Sequence, residues 1–327
     1  MTRPGAIHVF IGTKAQYIKT APLLRLMDQR GVPHRLVDSG QHAELSVELR
    51  RELEVRPPDA AFGGDRDVNS IAEAVAWAAK LAARGLRTRR AVLDDVFGGR
   101  AGVCVVHGDT PSTLLGTLLA RRAGLRVAHL ESGLRSGRLL HPFPEEMIRV
   151  LTMRLADVLF APHEEACRNL ARMRPGGSVV ELPANTTVEA LRHALGGLEA
   201  PGGGPALVTT HRVENLTRRR RLRRLVGYVT ELAERQPVEF VAHGPTLKAL
   251  RATGLVERLR DAGAVLRPLM SYAEFAAHLA RARFVITDGG SIQEECHYLG
   301  VPTLLWRKRT ERPEGQIGRA SCRERVY

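Results

Sequence analysis

The chain has 327 residues, of which 44% are hydrophobic and 26% charged, and it carries a formal net charge of +14. This length suits two domains of roughly 150 residues each, and the composition is typical of a soluble globular protein. No stretch approaches the roughly 20 apolar residues of a membrane span. The apolar segment Ala6–Ile11 is also too short for a signal-peptide core, so we expect a cytoplasmic protein without a membrane partner.

The positive charge does not by itself indicate a nucleic-acid partner. The dense arginine run 218–224 is more typical of a solvated helix face than of a nucleic-acid footprint. Aromatic residues, at 5%, are too few to form stacking platforms for single strands. An anionic small substrate accounts for the charge equally well, and we expect no nucleic-acid partner.

Four cysteines are scattered along the chain: Cys104, Cys167, Cys296 and Cys322. Their spacing matches no metal site, so we interpret them as reduced thiols.

Short β-branched apolar runs alternate with longer amphipathic segments in the first half of the chain, which predicts βα units around a parallel sheet. Strands are predicted at Ala6–Ile11, His34–Asp38, Val103–His107, Arg126–Leu130 and Val158–Ala161. Helices are predicted at Lys14–Gln29, Ile71–Arg84, Ser112–Arg122, Glu146–Arg154 and Glu164–Met173, with a further helical segment at Val92–Val96.

The glycines near residue 175 and the turn-rich stretch 201–205 predict a second unit of the same kind. Its strands are predicted at Ala206–Thr209, Val238–Ala242, Phe284–Thr287 and Thr303–Trp306, and its helices at Arg218–Glu234, Leu247–Asp261, Tyr272–Arg281 and Ser291–Leu299. We therefore predict two doubly wound α/β domains, residues 1–174 and 175–316, with ligand at the carboxyl ends of the strands.

A first candidate anion site is the loop Gly12-Thr13-Lys14-Ala15-Gln16, between a predicted strand and a predicted helix. Glycine permits the tight turn, and the start of the helix offers N–H groups to an anion. Lys14 and Lys19 add positive charge. An ordinary βα turn remains an alternative, because the loop has no GxGxxG fingerprint.

A second candidate anion site is the segment 287–295, with the sequence TDGGSIQEE. A strand again ends in glycines that begin a helix, so a diphosphate fits on the amides of Gly290 and Ser291. Glu295 lies one turn further along the same helix face, where it is placed to accept hydrogen bonds from a ribose diol. A glutamate that is merely solvated is the alternative.

Acidic residues gather around the ends of two predicted strands. Asp109 and Glu131 each follow an apolar strand, and Glu145 lies in a nearby loop. Neighbouring carboxylates raise one another's pKa and serve as acid and base, although three unrelated loop acids would look the same in sequence. His211 follows a strand of the second domain and is expected to face the same cleft, as a donor to a leaving phosphate.

Several motifs resemble those of the UDP-N-acetylglucosamine 2-epimerase family, in that family's order and over residues 7–315. They are HGDT at 107–110, HLESGLRSG at 129–137, PFPEE at 142–146, THRVEN at 210–215, TDGGSIQEE at 287–295 and RKRTERPE at 307–314. The resemblance implies two Rossmann-like domains as in GT-B glycosyltransferases, with a cleft between them and UDP bound mainly to the second. It also implies a homodimer and a reaction without metal or nicotinamide.

The resemblance also implies roles for particular residues. The positions that match the family's catalytic residues are Asp109, Glu131, Glu145 and His211. The positions that match its substrate-binding residues are Lys14 and Lys19 near the phosphates, Gly289, Gly290 and Ser291 in the diphosphate loop, and Glu295 at the ribose. Gln41 and His42 resemble a GQH segment near a second nucleotide-sugar site.

The two glycine loops depart from the family pattern. The first commonly reads GTRPE but is GTKAQ here, so a lysine point charge replaces an arginine fork. The second often reads DSGG but is DGGS here. Both differences indicate a divergent branch and leave the sugar specificity open.

The expected reaction is a non-hydrolysing 2-epimerisation of UDP-N-acetylglucosamine through elimination and re-addition of UDP. The alternatives are a hydrolysing epimerase, a GT-B glycosyltransferase that needs an acceptor, and a non-catalytic nucleotide-sugar binder. Residues 317–327 match the translation of a sequencing adapter in one frame. We expect them to be an artefact that replaces the rest of an incomplete second domain.

Overall fold

The computed structural model describes residues 5–41, 43–63, 71–139, 143–197 and 202–307. The chain divides between Ala190 and Leu191 into two compact units. Each unit contains one parallel β-sheet with helices, and each has its own hydrophobic core. Within the described part of the chain, no helix is both long enough and apolar enough to cross a bilayer.

The first unit is built on a seven-stranded sheet with the order β3-β2-β1-β4-β5-β6-β7. Its strands are β1 (Ala6–Ile11), β2 (His34–Asp38), β3 (Ala60–Ala61), β4 (Gly102–His107), β5 (Arg126–Leu130), β6 (Val158–Ala161) and β7 (Ser178–Glu181). Its helices are α1 (Lys14–Gln29), α2 (Ala43–Glu52), α3 (Ile71–Gly85), α4 (Arg89–Phe97), α5 (Pro111–Ala123), α6 (Glu145–Leu155) and α7 (Glu164–Met173). Helix α8 (Thr186–Leu195) begins in this unit and contains the boundary.

The second unit is built on a five-stranded sheet with the order β10-β9-β8-β11-β12. Its strands are β8 (Ala206–Thr209), β9 (Val238–Val241), β10 (Val265–Arg267), β11 (Val285–Thr287) and β12 (Thr303–Leu305). Its helices are α9 (Val213–Leu216), α10 (Arg219–Ala233), α11 (Gly244–Ala252), α12 (Leu255–Asp261), α13 (Tyr272–Arg281) and α14 (Gly290–Leu299).

The central strands are buried because their residues are apolar on both faces, as parallel sheets require. In β1, Val9, Phe10 and Ile11 have no exposed surface, and β8 is buried throughout. The predicted strands and helices lie close to the observed ones, except that the helix predicted at Leu247–Asp261 is two helices, α11 and α12, separated by Thr253 and Gly254. The sequence pattern did not indicate α2, β3, β7, α8, α9 or β10.

The observed boundary lies later than the predicted one at residue 174. Strand β7 pairs with β6 in the first sheet, with Ser178 opposite Val158. The glycines at 176 and 177 therefore form a turn inside the first unit, and they do not link two domains. Gly177 fits there because a Cβ would lie 2.4 Å from the Ala156 carbonyl oxygen.

Candidate active site

In each sheet the strand order runs one way along the chain and then the other, and several candidate residues lie beside the point of reversal. In the first sheet the reversal lies between β1 and β4, and in the second between β8 and β11. Loops that leave neighbouring strands in opposite directions open a crevice at their carboxyl ends, which is where doubly wound folds bind ligands. Gly12 follows β1 and Asp109 follows β4 in the first unit, and His211 and Gly289 follow β8 and β11 in the second.

The loop at residues 12–16, after β1, is stabilised by hydrogen bonds among its own residues. Thr13 caps α1, and the Gln16 Oε1 atom accepts hydrogen bonds from the amides of Gly12 at 2.9 Å and Thr13 at 3.1 Å. The Gln16 Nε2 atom also donates to the His107 carbonyl at 2.8 Å, which ties this loop to β4. A Cβ on Gly12 would lie 1.7 Å from the Ser39 Oγ atom, so only glycine fits there. Two of the amides expected to hold an anion thus donate to Gln16, and phosphate binding by this loop stays a prediction.

The two lysines of α1 have different surroundings. Lys14 is half-buried, and burial lowers its pKa despite the opposing effect of Glu52. Lys19 is buried, and its Nζ atom lies 2.6 Å from the Glu131 Oε1 atom. The structure therefore shows Lys19 as the partner of a candidate catalytic carboxylate, whereas the sequence suggested a partner of phosphate.

Glu131 is a buried carboxylate with polar neighbours from three parts of the first unit. Its Oε1 atom accepts from Lys19 and, at 2.7 Å, from the Asn185 Nδ2 atom. Its Oε2 atom lies 3.9 Å from the His107 Nδ1 atom. Glu131 also has φ +66, a left-handed conformation that is uncommon for a residue other than glycine. Such conformations gather at functional sites, where the surrounding structure enforces them.

His129 lies on β5, two residues before Glu131, and is fully buried. Its Nε2 atom lies 2.7 Å from the Gly108 carbonyl oxygen. Burial lowers the pKa of His129 to about 4. The ring is therefore neutral at pH 7, and the hydrogen bond to Gly108 holds the loop that carries Asp109.

Asp109 belongs to a chain of alternating charges. Arg149 contacts Asp109 through Nη2 and donates from Nη1 to the Glu146 Oε2 atom at 2.6 Å. Arg135 donates from Nε to the Glu146 Oε1 atom, also at 2.6 Å. Because Glu146 and Arg149 are buried, each needs an opposite charge beside it. Glu145, the other acid of this motif, is half-buried and is the first residue of α6.

Gln41 lies next to the first glycine loop. Its Oε1 atom accepts from the Ser112 Oγ atom at 2.8 Å, and that hydroxyl also lies 2.8 Å from the Ser39 Oγ atom. Gln41 is therefore held at the start of α5, while His42 lies outside the described residues. Their role in a second nucleotide-sugar site stays a prediction.

In the second unit, His211 lies against Asp288. The His211 Nδ1 atom is 3.2 Å from the Asp288 Oδ1 atom, and the His211 amide donates to the same oxygen at 3.0 Å. Asp288 is fully buried between β11 and the glycines that follow it. The loop after β8 and the loop after β11 are thus joined at this carboxylate.

The second glycine loop begins α14, as the sequence predicted. Gly289 is the N-cap and has no side chain with which to cap the first amides of the helix. Gly290 and Ser291, which follow it, are partly exposed. Glu295 is buried one turn later, and its Oε1 atom accepts from the Tyr272 hydroxyl at 2.9 Å. A merely solvated glutamate is therefore excluded, and the ribose role stays a prediction.

Three residues of the site were not predicted from the sequence: Arg149, Asn185 and Asp288. Arg149 lies three residues after Glu146 on a helix, a spacing that brings opposite charges together and was available as a signal. Asn185 and Asp288 have no such local signal, because their contacts join loops that are far apart in the chain. Within the described residues, no group of three or more His, Cys, Asp or Glu side chains is placed to hold a metal ion.

The two parallel sheets, with polar loops at their reversal points, define an α/β protein of two Rossmann-like domains, which confirms the predicted fold class. A family model described as UDP-N-acetylglucosamine 2-epimerase matches residues 25–322. The chain therefore belongs to the UDP-N-acetylglucosamine 2-epimerase family and is an enzyme of the isomerase class.

The match extends past residue 315, where the motif resemblance ended, into the segment 317–327 that we expected to exclude. That segment and most of the motif at 307–314 lie outside the described residues.

Similar proteins agree with this assignment. The UDP-N-acetylglucosamine 2-epimerase of Bacillus subtilis (strain 168) is 30% identical, over 93% of this chain and 79% of that protein. The crystal structure of the Methanocaldococcus jannaschii UDP-GlcNAc 2-epimerase in complex with UDP-GlcNAc and UDP is 28% identical. It has a TM-score of 0.79 over 94% of this chain and 86% of that one. A putative UDP-N-acetylglucosamine 2-epimerase from Listeria monocytogenes is 26% identical, with a TM-score of 0.78 over 96% of this chain and 82% of that one.

Proposed function

We propose that this enzyme interconverts UDP-N-acetylglucosamine and UDP-N-acetylmannosamine by eliminating and re-adding UDP. The observation that carries the proposal is the buried Glu131 carboxylate, held by Lys19 and Asn185 at the carboxyl end of β5. Membership of the epimerase family supplies the reaction class. A buried carboxylate at this edge of the sheet supplies a group that can act on a sugar carbon.

The chemistry requires departure of UDP before the stereocentre changes. The C2 proton of the sugar is not acidified by a conjugated carbonyl, so direct removal is slow. When the C1–O bond breaks, its electron pair leaves with UDP, and an oxocarbenium-like centre forms at C1. Loss of the C2 proton to a base then gives a glycal. A proton delivered to the other face of C2, with return of the UDP oxygen to C1, completes the epimerisation.

The first unit offers carboxylates for these steps. We assign Glu131, Asp109 and Glu145 to stabilising the cationic centre and moving the C2 proton. Lys19 compensates the buried charge of Glu131, and Arg149 does the same for Asp109. A carboxylate in a fixed position stabilises a developing cation without the reorganisation that water would need.

The second unit offers groups for the diphosphate and the ribose. We assign the partly exposed amides of Gly290 and Ser291, with Gly289, to the departing diphosphate, because the start of a helix favours an anion. His211 is assigned as a proton donor to that diphosphate, and Glu295 as the acceptor from the ribose hydroxyls. Lys14, whose lowered pKa reflects partial burial, is assigned to an anionic group of the substrate in the first unit.

Proton NMR of UDP-N-acetylglucosamine incubated with the protein in deuterated water tests the proposal. We expect a mixture of UDP-linked gluco and manno sugars that carry deuterium at C2. Free N-acetylmannosamine together with UDP would identify a hydrolysing enzyme. UDP binding without deuterium exchange would support a non-catalytic binder, and transfer to an added acceptor without exchange would support a glycosyltransferase.

We also propose a homodimer and a cytoplasmic location. The homodimer rests on the family resemblance and is tested by sedimentation equilibrium across a range of protein concentrations. The location rests on Ala6–Ile11, which forms the buried central strand β1 of a folded unit. Fractionation of cells that produce the full chain tests it.

A further inference from the structure

Asp288 holds the loop after β8 mainly through its Oδ2 atom, while Oδ1 accepts from the His211 amide. The Oδ2 atom accepts from the Thr210 hydroxyl at 2.5 Å, the Asn215 Nδ2 atom at 2.8 Å and the Arg212 amide at 3.1 Å. The carboxylate has no exposed surface. A buried charge with this many donors is fixed in both position and orientation.

The other oxygen of Asp288 faces the imidazole of His211. The Oδ1 atom lies 3.2 Å from the His211 Nδ1 atom, while the side chain of His211 is 41% exposed. One nitrogen of the ring is therefore held against a buried carboxylate. Nε2 is the other nitrogen of the ring, separated from Nδ1 by Cε1.

We infer that Asp288 is a positioning residue that fixes neutral His211 in its Nδ1-protonated tautomer and directs Nε2 to its ligand. An ionised carboxylate only accepts hydrogen bonds, and at 3.2 Å it would repel a lone pair on Nδ1, so the proton is favoured on that nitrogen. The remaining nitrogen, Nε2, is then the site that gains and donates a proton. That Nε2 serves the departing diphosphate rests on the proposed function; the tautomer does not.

The charges around Asp288 keep it ionised. Burial raises its pKa, but His211 and the hydrogen bonds from Thr210, Asn215 and the Arg212 amide together lower the pKa below its usual value. At neutral pH the group beside Nδ1 is therefore an anion. This anion stabilises the imidazolium form that a donor at Nε2 requires.

Three further residues shape the surroundings of the ring. His243, at the start of α11, has its ring centroid 5.8 Å from that of His211, and Arg212 donates from Nε to the Asp288 carbonyl at 2.9 Å. A Cβ on Gly289 would lie 3.0 Å from the His211 Cε1 atom. The glycine therefore allows the ring to lie directly beside the start of α14.

Nitrogen NMR of the full chain labelled with ¹⁵N-histidine measures the tautomer and the pKa of His211, with His211→Gln used to assign the signal. In the wild type we expect the neutral ring to carry its proton on Nδ1. In Asp288→Asn the amide can donate to Nδ1, so we expect the Nε2-protonated tautomer and a lower pKa. Thr210→Val is the matched control, because it removes a hydrogen bond to Oδ2 and leaves the charge. We expect it to keep the wild-type tautomer.

Turnover and UDP binding separate this inference from the proposed function. We expect Asp288→Asn to lower kcat on the order of a hundredfold, as for loss of a general acid, while UDP binding is retained. A neutral wild-type ring protonated on Nε2 would overturn the inference, whether or not the variant folds. So would equal changes of tautomer in Asp288→Asn and Thr210→Val. An Nδ1 tautomer in a protein that lacks epimerase activity would leave the inference intact and refute the proposed function.

Discussion

The ion pair between Lys19 and Glu131 gives the most direct test of the candidate site. Their side chains are only 8% and 6% exposed, and the Nζ–Oε1 distance is 2.6 Å. Replacing Lys19 by methionine keeps the length of the side chain but removes the cation from the buried carboxylate. Removal of one partner of a buried pair costs about 3–5 kcal/mol. We expect Lys19→Met to lower the free energy of unfolding of the first unit by this amount.

Urea unfolding followed by tryptophan fluorescence measures this change. Trp77 lies in α3 of the first unit, where its indole N–H donates to the Ser39 carbonyl at 2.8 Å. The second of the two tryptophans, Trp306, lies in the core of the second unit. A Trp306→Phe background therefore makes the fluorescence report the first unit. All variants are compared in that background.

An exposed ion pair provides the matched control. The Arg90 Nε atom lies 3.0 Å from the Asp94 Oδ2 atom, and these side chains are 78% and 49% exposed. Exposed pairs contribute about 0–1 kcal/mol, so Arg90→Met should change the free energy of unfolding by no more than that. The double variant Lys19→Met/Glu131→Gln should recover part of the loss, because it no longer leaves a charge unbalanced. A loss below about 1 kcal/mol in Lys19→Met, or no recovery in the double variant, would refute the reasoning.

Three further changes test other parts of the site. Glu131→Gln should abolish turnover in the deuterium-exchange assay while UDP binding, measured by calorimetry, stays close to that of the wild type; near-normal rates would remove Glu131 from the mechanism. Arg149→Lys should lower kcat by about tenfold or more, because a lysine cannot contact both Asp109 and Glu146 as the arginine fork does, and the loss corresponds to one hydrogen bond to a charged group. An unchanged kcat would show that this contact does not position Asp109. His129 has a pKa of about 4 when folded and about 6.5 when unfolded. The unfolded chain therefore binds more protons between these values, so stability should fall by about 3 kcal/mol as the pH drops through this window. His129→Asn should reduce this dependence of stability on pH. An equal dependence in the wild type and the variant would contradict the burial assigned to His129.

The predicted fold depended on features that are local in the sequence. The strands β1, β2, β5 and β6 have the predicted bounds because each contains a short apolar stretch and lies between turn residues or helices. Helix α1 begins after Thr13 because that side chain caps it. Strand β7 was not predicted because all of its residues are exposed at the edge of the sheet. Its sequence therefore shows no alternation of apolar and polar residues that would indicate a strand.

The order of the motifs placed the chain in its family and selected the candidate residues. It did not show which of them contact one another. Lys19 and Glu131 are 112 residues apart, and Asn185 reaches the same oxygen from beyond the predicted domain boundary. Glu295, which the sequence could not distinguish from a solvated residue, is buried against Tyr272.

The sequence by itself determined the alternation of strands and helices, the two glycine loops that follow strands, and the family. Only the tertiary structure decided that Lys19 partners Glu131, that Arg149 partners Asp109, and that Asp288 partners His211. The physical reason is that these contacts depend on the order of the strands in each sheet. Local periodicity shows where a strand begins and ends, but two loops become neighbours only when the whole sheet has formed.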